Sequence, residues 1–291
     1  MPDIILIQPP IRDFYLTVKR TIPYGLASIA ASLIEAGFSV EIMDGLATRK
    51  SKIIPLPEKL SYLREYYPVP DHSPFALFYD FKHFGYSFEH IGNLARKSEA
   101  KLVGIASLFT AYAEEALKTV EVVRKALPNA TIVVGGHHAT SLPESVLSNK
   151  AVDMVVRGEG EEAMVSIAQA VKNDLPVEGI PGVVTRSNVD RPQDSSTSLI
   201  RDLNSLPKPA YQLINNEYYK RAHKNSGVIM AGRGCPMKCS YCSVSRYSPI
   251  PYRARSTDSI LQEMKILIYD FNTEFIDFED EHLTFNRKWF L

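Results

Sequence analysis

Short apolar runs alternate with helix-spaced apolar positions through the first 160 residues. Residues 4–8, 39–43, 102–107, 131–134 and 152–156 are rich in valine and isoleucine. Such unbroken runs fit strands buried on both faces of a parallel sheet. Between them, Leu26, Ile29, Ala30, Leu33 and Ile34 recur at helical spacing, and Gly37 follows where a left-handed C-terminal cap is wanted. Ala113, Ala116, Leu117, Val120 and Leu127 mark another helix, with Thr110 as its expected N-cap and Pro128 as its stop. The rhythm predicts a doubly wound α/β domain of flavodoxin- or Rossmann-like type.

One stretch breaks the rhythm. Residues 48–100 hold five prolines, at 55, 57, 68, 70 and 74. Phe75, Phe78, Tyr79, Phe81, Phe84, Tyr86 and Phe88 crowd into its second half. The expectation is a crossover whose extra helix, Phe88–Ser98, packs on the sheet; a lid over a bound cofactor is the alternative. Residues 176–209 turn polar, with the run Asp194-Ser195-Ser196-Thr197-Ser198, and read as a hairpin and linker. A second α/β rhythm follows, with a strand at 228–231, a helix at 258–269 and a strand at 275–278. The expected division is 1–160, 161–222 and 223–291.

Composition narrows the class. The chain is 45% hydrophobic and 23% charged, ample for buried cores. Its 33 basic and 33 acidic residues balance, which speaks against a broad basic face for nucleic acid. No apolar run approaches the ~20 residues that span a bilayer. Met1-Pro2-Asp3-Ile4 lacks the basic start of a secretory signal, so a cytoplasmic location is expected.

All three cysteines fall in one short loop, Gly234-Cys235-Pro236-Met237-Lys238-Cys239-Ser240-Tyr241-Cys242. Thiolates are soft ligands for zinc, copper(I) or iron–sulfur clusters. Structural zinc and ferredoxin-type clusters want four protein ligands. Three thiols would leave one iron of a cubane open to a small molecule; the alternative is a zinc knuckle with His223 as fourth ligand. C-x3-C-x2-C, with an aromatic before the last cysteine and Gly232-Arg233-Gly234 ahead of the first, resembles the signature of the radical S-adenosylmethionine enzymes.

That resemblance implies Cys235, Cys239 and Cys242 as ligands of a [4Fe-4S] cluster. The open iron would hold S-adenosylmethionine, cleaved by one electron to methionine and a 5′-deoxyadenosyl radical. A one-electron donor such as a flavodoxin or ferredoxin is implied with it. Between Gly227 and Thr257 there are five bases and no acid (Arg233, Lys238, Arg246, Arg253 and Arg255), which predicts an electropositive surround for the thiols. By resemblance, acids after the second barrel strand lie near the ammonium of S-adenosylmethionine, which selects Glu279 and Asp280. A solvated acidic turn ahead of a helix is the other reading of these acids.

The first 160 residues resemble the cobalamin-binding domain that precedes many such enzymes. Three loops carry the likeness: Gln8-Pro9-Pro10, Ser107-Leu108-Phe109-Thr110 and Gly135-Gly136-His137-His138, each leaving a carboxyl strand end, where ligands bind in open α/β sheets. Tyr24-Gly25-Leu26 and Arg157-Gly158-Glu159-Gly160-Glu161 add to it. The resemblance implies Ser107, Leu108, Gly135, Gly136 and His138 as cobalamin contacts. The loop after the first strand, Pro9-Pro10-Ile11-Arg12-Asp13-Phe14, has no histidine to serve as lower cobalt ligand.

Two functional classes stay open. One is a cobalamin-dependent radical enzyme performing methyl transfer or oxidative cyclisation or rearrangement on a small-molecule, lipid or tetrapyrrole-like substrate. The other is a non-catalytic corrinoid-binding module or one fragment of a split enzyme. Length favours weighing the second: a full barrel takes about 200 residues or more, and 49 follow Cys242. The expectation is the first part of a barrel, with a second chain as one way to complete it. A nicotinamide-binding domain is disfavoured, because no G-x-G-x-x-G follows the first strand.

Overall fold

A computed structural model describes residues 1–14, 22–66, 80–190, 197–237, 239–242 and 252–290, with the side chain of Arg64 left aside. Phe75, Phe78, Tyr79, Lys238, Arg246 and the run 194–196 lie outside the described residues. Strand β1 (Ile4–Gln8) leads into a short strand β2 (Ile11–Asp13) and helix α1 (Tyr24–Glu35). That helix ends as its sequence predicts: Gly37 is at φ +86°, and the Phe38 amide donates to the Leu33 carbonyl at 3.0 Å. Strands β3 (Val40–Asp44) and β4 (Ser51–Ile53), helix α2 (Leu63–Tyr66), β5 (Lys82–Phe84) and α3 (Phe88–Ser98) follow. Next come β6 (Leu102–Ala106), α4 (Ala113–Ala126), β7 (Thr131–Gly135), α5 (His137–Ser141), α6 (Pro143–Leu147), β8 (Met154–Val156), α7 (Gly160–Lys172) and β9 (Val183–Val184).

The main sheet has the order β3-β1-β6-β7-β8-β9, parallel throughout except for β9, which runs antiparallel to β8. For the first five strands this is the flavodoxin-like order, with its switch point between β1 and β6. The run Ile4-Ile5-Leu6-Ile7 shows why an unbroken apolar strand is needed. Ile4 and Leu6 join the core shared with α1 and α7, while Ile5 and Ile7 join the core shared with α3 and α4.

The crossover at 48–100 holds the expected helix α3 and also builds a second sheet, β2-β5-β4, at the carboxyl edge of β1. The Tyr86 amide ties this sheet to the Gly45 carbonyl at 2.8 Å. Gly85, at φ +110°, has no room for a Cβ, which would lie 2.4 Å from the Gly45 oxygen.

The packing does not follow the expected division at residue 160. Helix α7 lies against α1, and β9 is the sixth strand of the main sheet. Ala210, Tyr211, Ile214 and Tyr219, inside the expected linker, are buried in the same core as Leu6 and Val228. Apolar residues scattered among prolines gave no periodic signal, so their burial was invisible before folding.

The remaining elements are β10 (Lys220–Arg221), β11 (Lys224–Ile229), β12 (Gly232–Arg233), β13 (Arg253–Ala254), α8 (Thr257–Asp270), β14 (Phe275–Phe278) and α9 (Arg287–Phe290). Strands β11 and β14 pair in parallel with α8 between them, a βαβ unit. Strands β12 and β13 form an antiparallel two-residue ladder that closes the cysteine loop. Among the described residues, no helix is long and apolar enough to cross a membrane.

Candidate functional site

The loops after β6 and β7 meet at the carboxyl edge. The Ser107 amide donates to the Gly135 carbonyl at 2.7 Å, and the Ser107 carbonyl accepts from the His138 amide at 3.2 Å. Gly136 is at φ +112°, and a Cβ there would lie 2.6 Å from the Ser107 oxygen. That glycine lets the two loops close on each other. Gly135 differs: around its missing Cβ only the Val156 oxygen comes near, at 3.9 Å.

Two polar atoms are stranded there. Ser107 Oγ and His138 Nε2 are buried with no hydrogen-bond partner among the described residues. Leaving such atoms unmet costs about 1–3 kcal/mol each, a cost that an outside donor or acceptor reaching this notch would relieve. Burial pushes the His138 imidazole below its ordinary range, keeping it neutral near pH 7. Its Nδ1 lies 3.3 Å from Thr110 Oγ1. Thr110 was expected to cap the following helix; it instead opens a 3-10 turn, and α4 starts after Tyr112 with no side-chain cap. Leu108 and Phe109 form an exposed apolar rim, and His137 faces outward. In β2, where a loop was expected, Arg12 pairs with Glu115 at 2.5 Å, and Asp13 accepts from the Tyr112 hydroxyl at 2.5 Å.

The cysteine loop is the second chemical feature. Gly234, at φ +86°, turns the chain out of β12. Cys235 and Cys242 are half-buried, Cys239 is exposed, and the Cys242 amide donates to the Cys239 carbonyl at 3.1 Å. Among the described residues, no three of His, Cys, Asp and Glu are gathered as a metal-ligating group. The loop carries a three-thiol donor set, all three cysteines being free. His223 sits in the turn between β10 and β11 and joins no such group either.

Of the five bases expected to surround the thiols, the three among the described residues are all paired with acids. Arg233 pairs with Glu161 at 2.6 Å and Glu159 at 3.2 Å, Arg253 with Glu159 at 2.8 Å, and Arg255 with Glu263 at 2.5 Å. Two acids distant in sequence, Glu159 and Glu161, meet Arg233 and Arg253, and Glu263 meets Arg255. Desolvation raises the Glu161 carboxyl, but the Arg233 charge and the bonds from Arg233 and Ser28 outweigh it and hold the group low.

Of the two acids selected after β14, Asp280 is engaged by the backbone. It accepts the amides of Ala231 at 3.0 Å and Gly232 at 2.5 Å. Glu279 continues the strand pairing through its amide, which donates to Ile229 at 3.2 Å. Its carboxylate has no hydrogen-bond or ion-pair partner among the described residues. Burial, and then the neighbouring Asp277 charge, raise it above the ordinary carboxylate range.

Residues 76–168 match the family described as B12 binding domain. An uncharacterized methyltransferase of Pyrococcus horikoshii is 28% identical over 98% of this chain and 54% of its own length. The anaerobic magnesium-protoporphyrin IX monomethyl ester cyclase of Cereibacter sphaeroides is 32% identical over 70% of this chain and 34% of its own. Among solved structures, the radical S-adenosylmethionine methyltransferase TsrM of Kitasatospora setae superposes with a TM-score of 0.65 at 19% identity, over 97% of this chain and 48% of that one. The cobalamin-dependent S-adenosylmethionine radical enzyme OxsB gives 0.66 at 13% identity, over 97% and 34%. The chain thus spans about half the length, or less, of these relatives.

The fold and its carboxyl edge define an α/β protein with a B12 binding domain. Over nearly its whole length, the chain shares the fold of TsrM and OxsB.

Proposed function

We propose that this chain is the cofactor-bearing part of a cobalamin-dependent radical S-adenosylmethionine enzyme. The observation that carries the reading is the pair of orphaned atoms, Ser107 Oγ and His138 Nε2, beside a glycine with open space, on the same chain as a three-thiol loop. Ser107, Leu108, Gly135, Gly136 and His138 hold the corrinoid. Gly135 admits it, Leu108 covers an apolar part, and neutral His138 hydrogen-bonds it. The loop after β1 offers no histidine to cobalt.

Cys235, Cys239 and Cys242 hold a [4Fe-4S] cluster with one iron left for S-adenosylmethionine. Glu279, the unpartnered acid, faces the ammonium of that ligand. Bound together, these cofactors supply one-electron cleavage of a sulfonium and transfer or abstraction chemistry at an unreactive carbon. The protein's own residues orient the groups and keep water out.

The substrate class is a small organic molecule, and the reaction is methyl transfer or oxidative cyclisation. A flavodoxin or ferredoxin supplies the electron, and the cytoplasm is the compartment. The first turns of a radical barrel account for the β11–α8–β14 unit. The family match, which lies at residues 76–168 and stops short of the cysteine loop, favours a second reading, a corrinoid-binding module without catalysis of its own or one fragment of a split enzyme.

Anaerobic reconstitution with iron, sulfide and hydroxocobalamin decides between them. The lead reading expects about four irons and one corrinoid per chain, with iron lost and corrinoid kept in Cys239→Ala. Corrinoid without iron selects the module, and one zinc in place of iron overturns the lead reading.

A further inference from the structure

Arg233 and Arg253 stand directly opposite each other in the β12–β13 ladder. Like charges in that register push a strand pair apart. The ladder has only two residues on each side, yet all three thiols lie between its two strands in the chain. Pairing strands so far apart in sequence costs entropy that so short a ladder does little to offset.

Two carboxylates from the B12 binding domain answer this. Glu159 bridges both arginines: its Oε1 lies 3.2 Å from Arg233 and 2.9 Å from Arg253, and its Oε2 lies 2.8 Å from Arg253. Glu161 takes the far side of Arg233 at 2.6 Å while accepting from Ser28 at 2.7 Å. All four charged side chains are largely buried, with Arg233 the most exposed at 14%.

The acids are themselves held in place. Gly158, at φ +91°, bridges to Ser198, where a Cβ would lie 2.2 Å from the Ser198 oxygen. At Gly160 a Cβ would lie 2.7 Å from Ile29 Cδ1. The alternation Gly-Glu-Gly-Glu thus packs its glycines inward and presents its acids at the N-terminal turn of α7, where negative charge is favoured. The Gly158 amide in turn donates to Thr140 Oγ1 at 2.9 Å, and Thr140 shares helix α5 with His138.

We propose that Glu159 and Glu161 are positioning residues that clamp the base of the cysteine loop, so that the B12 binding domain sets where the thiols stand. Contacts run without a break from the His138 helix through Thr140, Gly158 and Glu159 to the strand that enters Cys235. The clamp does not depend on what the loop binds; its effect on a cluster rests on the function proposed above.

Amide exchange on the full chain without metal tests the clamp alone. Glu159→Gln and Glu161→Gln are expected to speed exchange at residues 232–233 and 253–254 at least tenfold, with β1 and β6 unchanged. Arg253→Lys, which keeps the charge and loses the fork, should fall between. Unchanged exchange at the ladder in both glutamine variants overturns the proposal. Equal loosening of ladder and core would do the same, since the acids would then be general stabilisers. After reconstitution, iron per chain should drop at least twofold in both variants while bound hydroxocobalamin stays at the wild-type level. A wild-type chain that takes up no iron, beside a ladder that loosens as expected, defeats the functional reading and leaves the clamp standing.

Discussion

The carboxylate of Asp280 receives the amide of Gly232 at 2.5 Å, joining the end of β14 to the start of the cysteine hairpin. It receives Ala231 as well, so one side chain satisfies two successive amides where β11 stops. Asp280→Ala should cost about 1–3 kcal/mol by stranding them, read by urea unfolding. Burial, aided by Glu281, raises this carboxyl above its ordinary range despite the two amides and Arg255. The native state therefore binds this proton more tightly than the unfolded chain. On this account, stability falls as pH rises from about 3.8 through the raised native value. Asp280→Asn should remove that part of the slope between pH 4 and 7.

The two glycines after β7 should behave differently. Gly136→Ala meets both a positive φ and the Ser107 carbonyl, and should destabilise the chain by about 1–3 kcal/mol or more. Gly135→Ala meets only an ordinary contact and should leave stability within about 0.5 kcal/mol. Its effect should appear in hydroxocobalamin affinity, weakened at least tenfold by equilibrium titration. Unweakened binding would remove Gly135 from the corrinoid site.

His138 should contribute a different pH window. Its folded value is lowered by burial, so the unfolded chain binds the proton more tightly. Stability from this group is complete above its unfolded value of about 6.5 and is lost as pH falls from there to the lowered native value. His138→Phe should flatten the unfolding profile in that range and weaken corrinoid binding by about tenfold.

Glu161 works the opposite way from Asp280. Held low by Arg233, it gives stability that is present above about pH 4.5 and lost as pH falls through the lowered native value. Glu161→Gln leaves Arg233 with Glu159 as its carboxylate partner, and the loss should fall on the β12–β13 ladder and not on the main sheet. The same variant should show a shallower loss of ladder protection on acidification, measured by amide exchange at residues 232–233 and 253–254 from pH 3 to 7.

Several features were legible before folding because they are local. The apolar runs at β1, β6 and β7, the helix Phe88–Ser98 and strand Phe275–Phe278 follow from spacing and capping alone. Ser87 caps its helix by accepting from His90, as a serine before an apolar repeat should. The B12 binding domain was legible from the order of its strand-end loops, and the three-thiol donor set from its spacing. Thr110 misled because a hydroxyl near a helix start can serve another partner, here His138.

By itself the sequence determined the period of each element, the doubly wound class and the kinds of donor atom on each loop, because those depend on neighbours within a few residues. Only the tertiary structure decided which charges meet. Arg233 and Glu161 are 72 residues apart, and Arg253 and Glu159 are 94 apart. A local excess of bases thus became a neutral clamp, and Asp280 became a backbone anchor. Sheet order and the shared core bring such groups together, and neither is written in any short window of the chain.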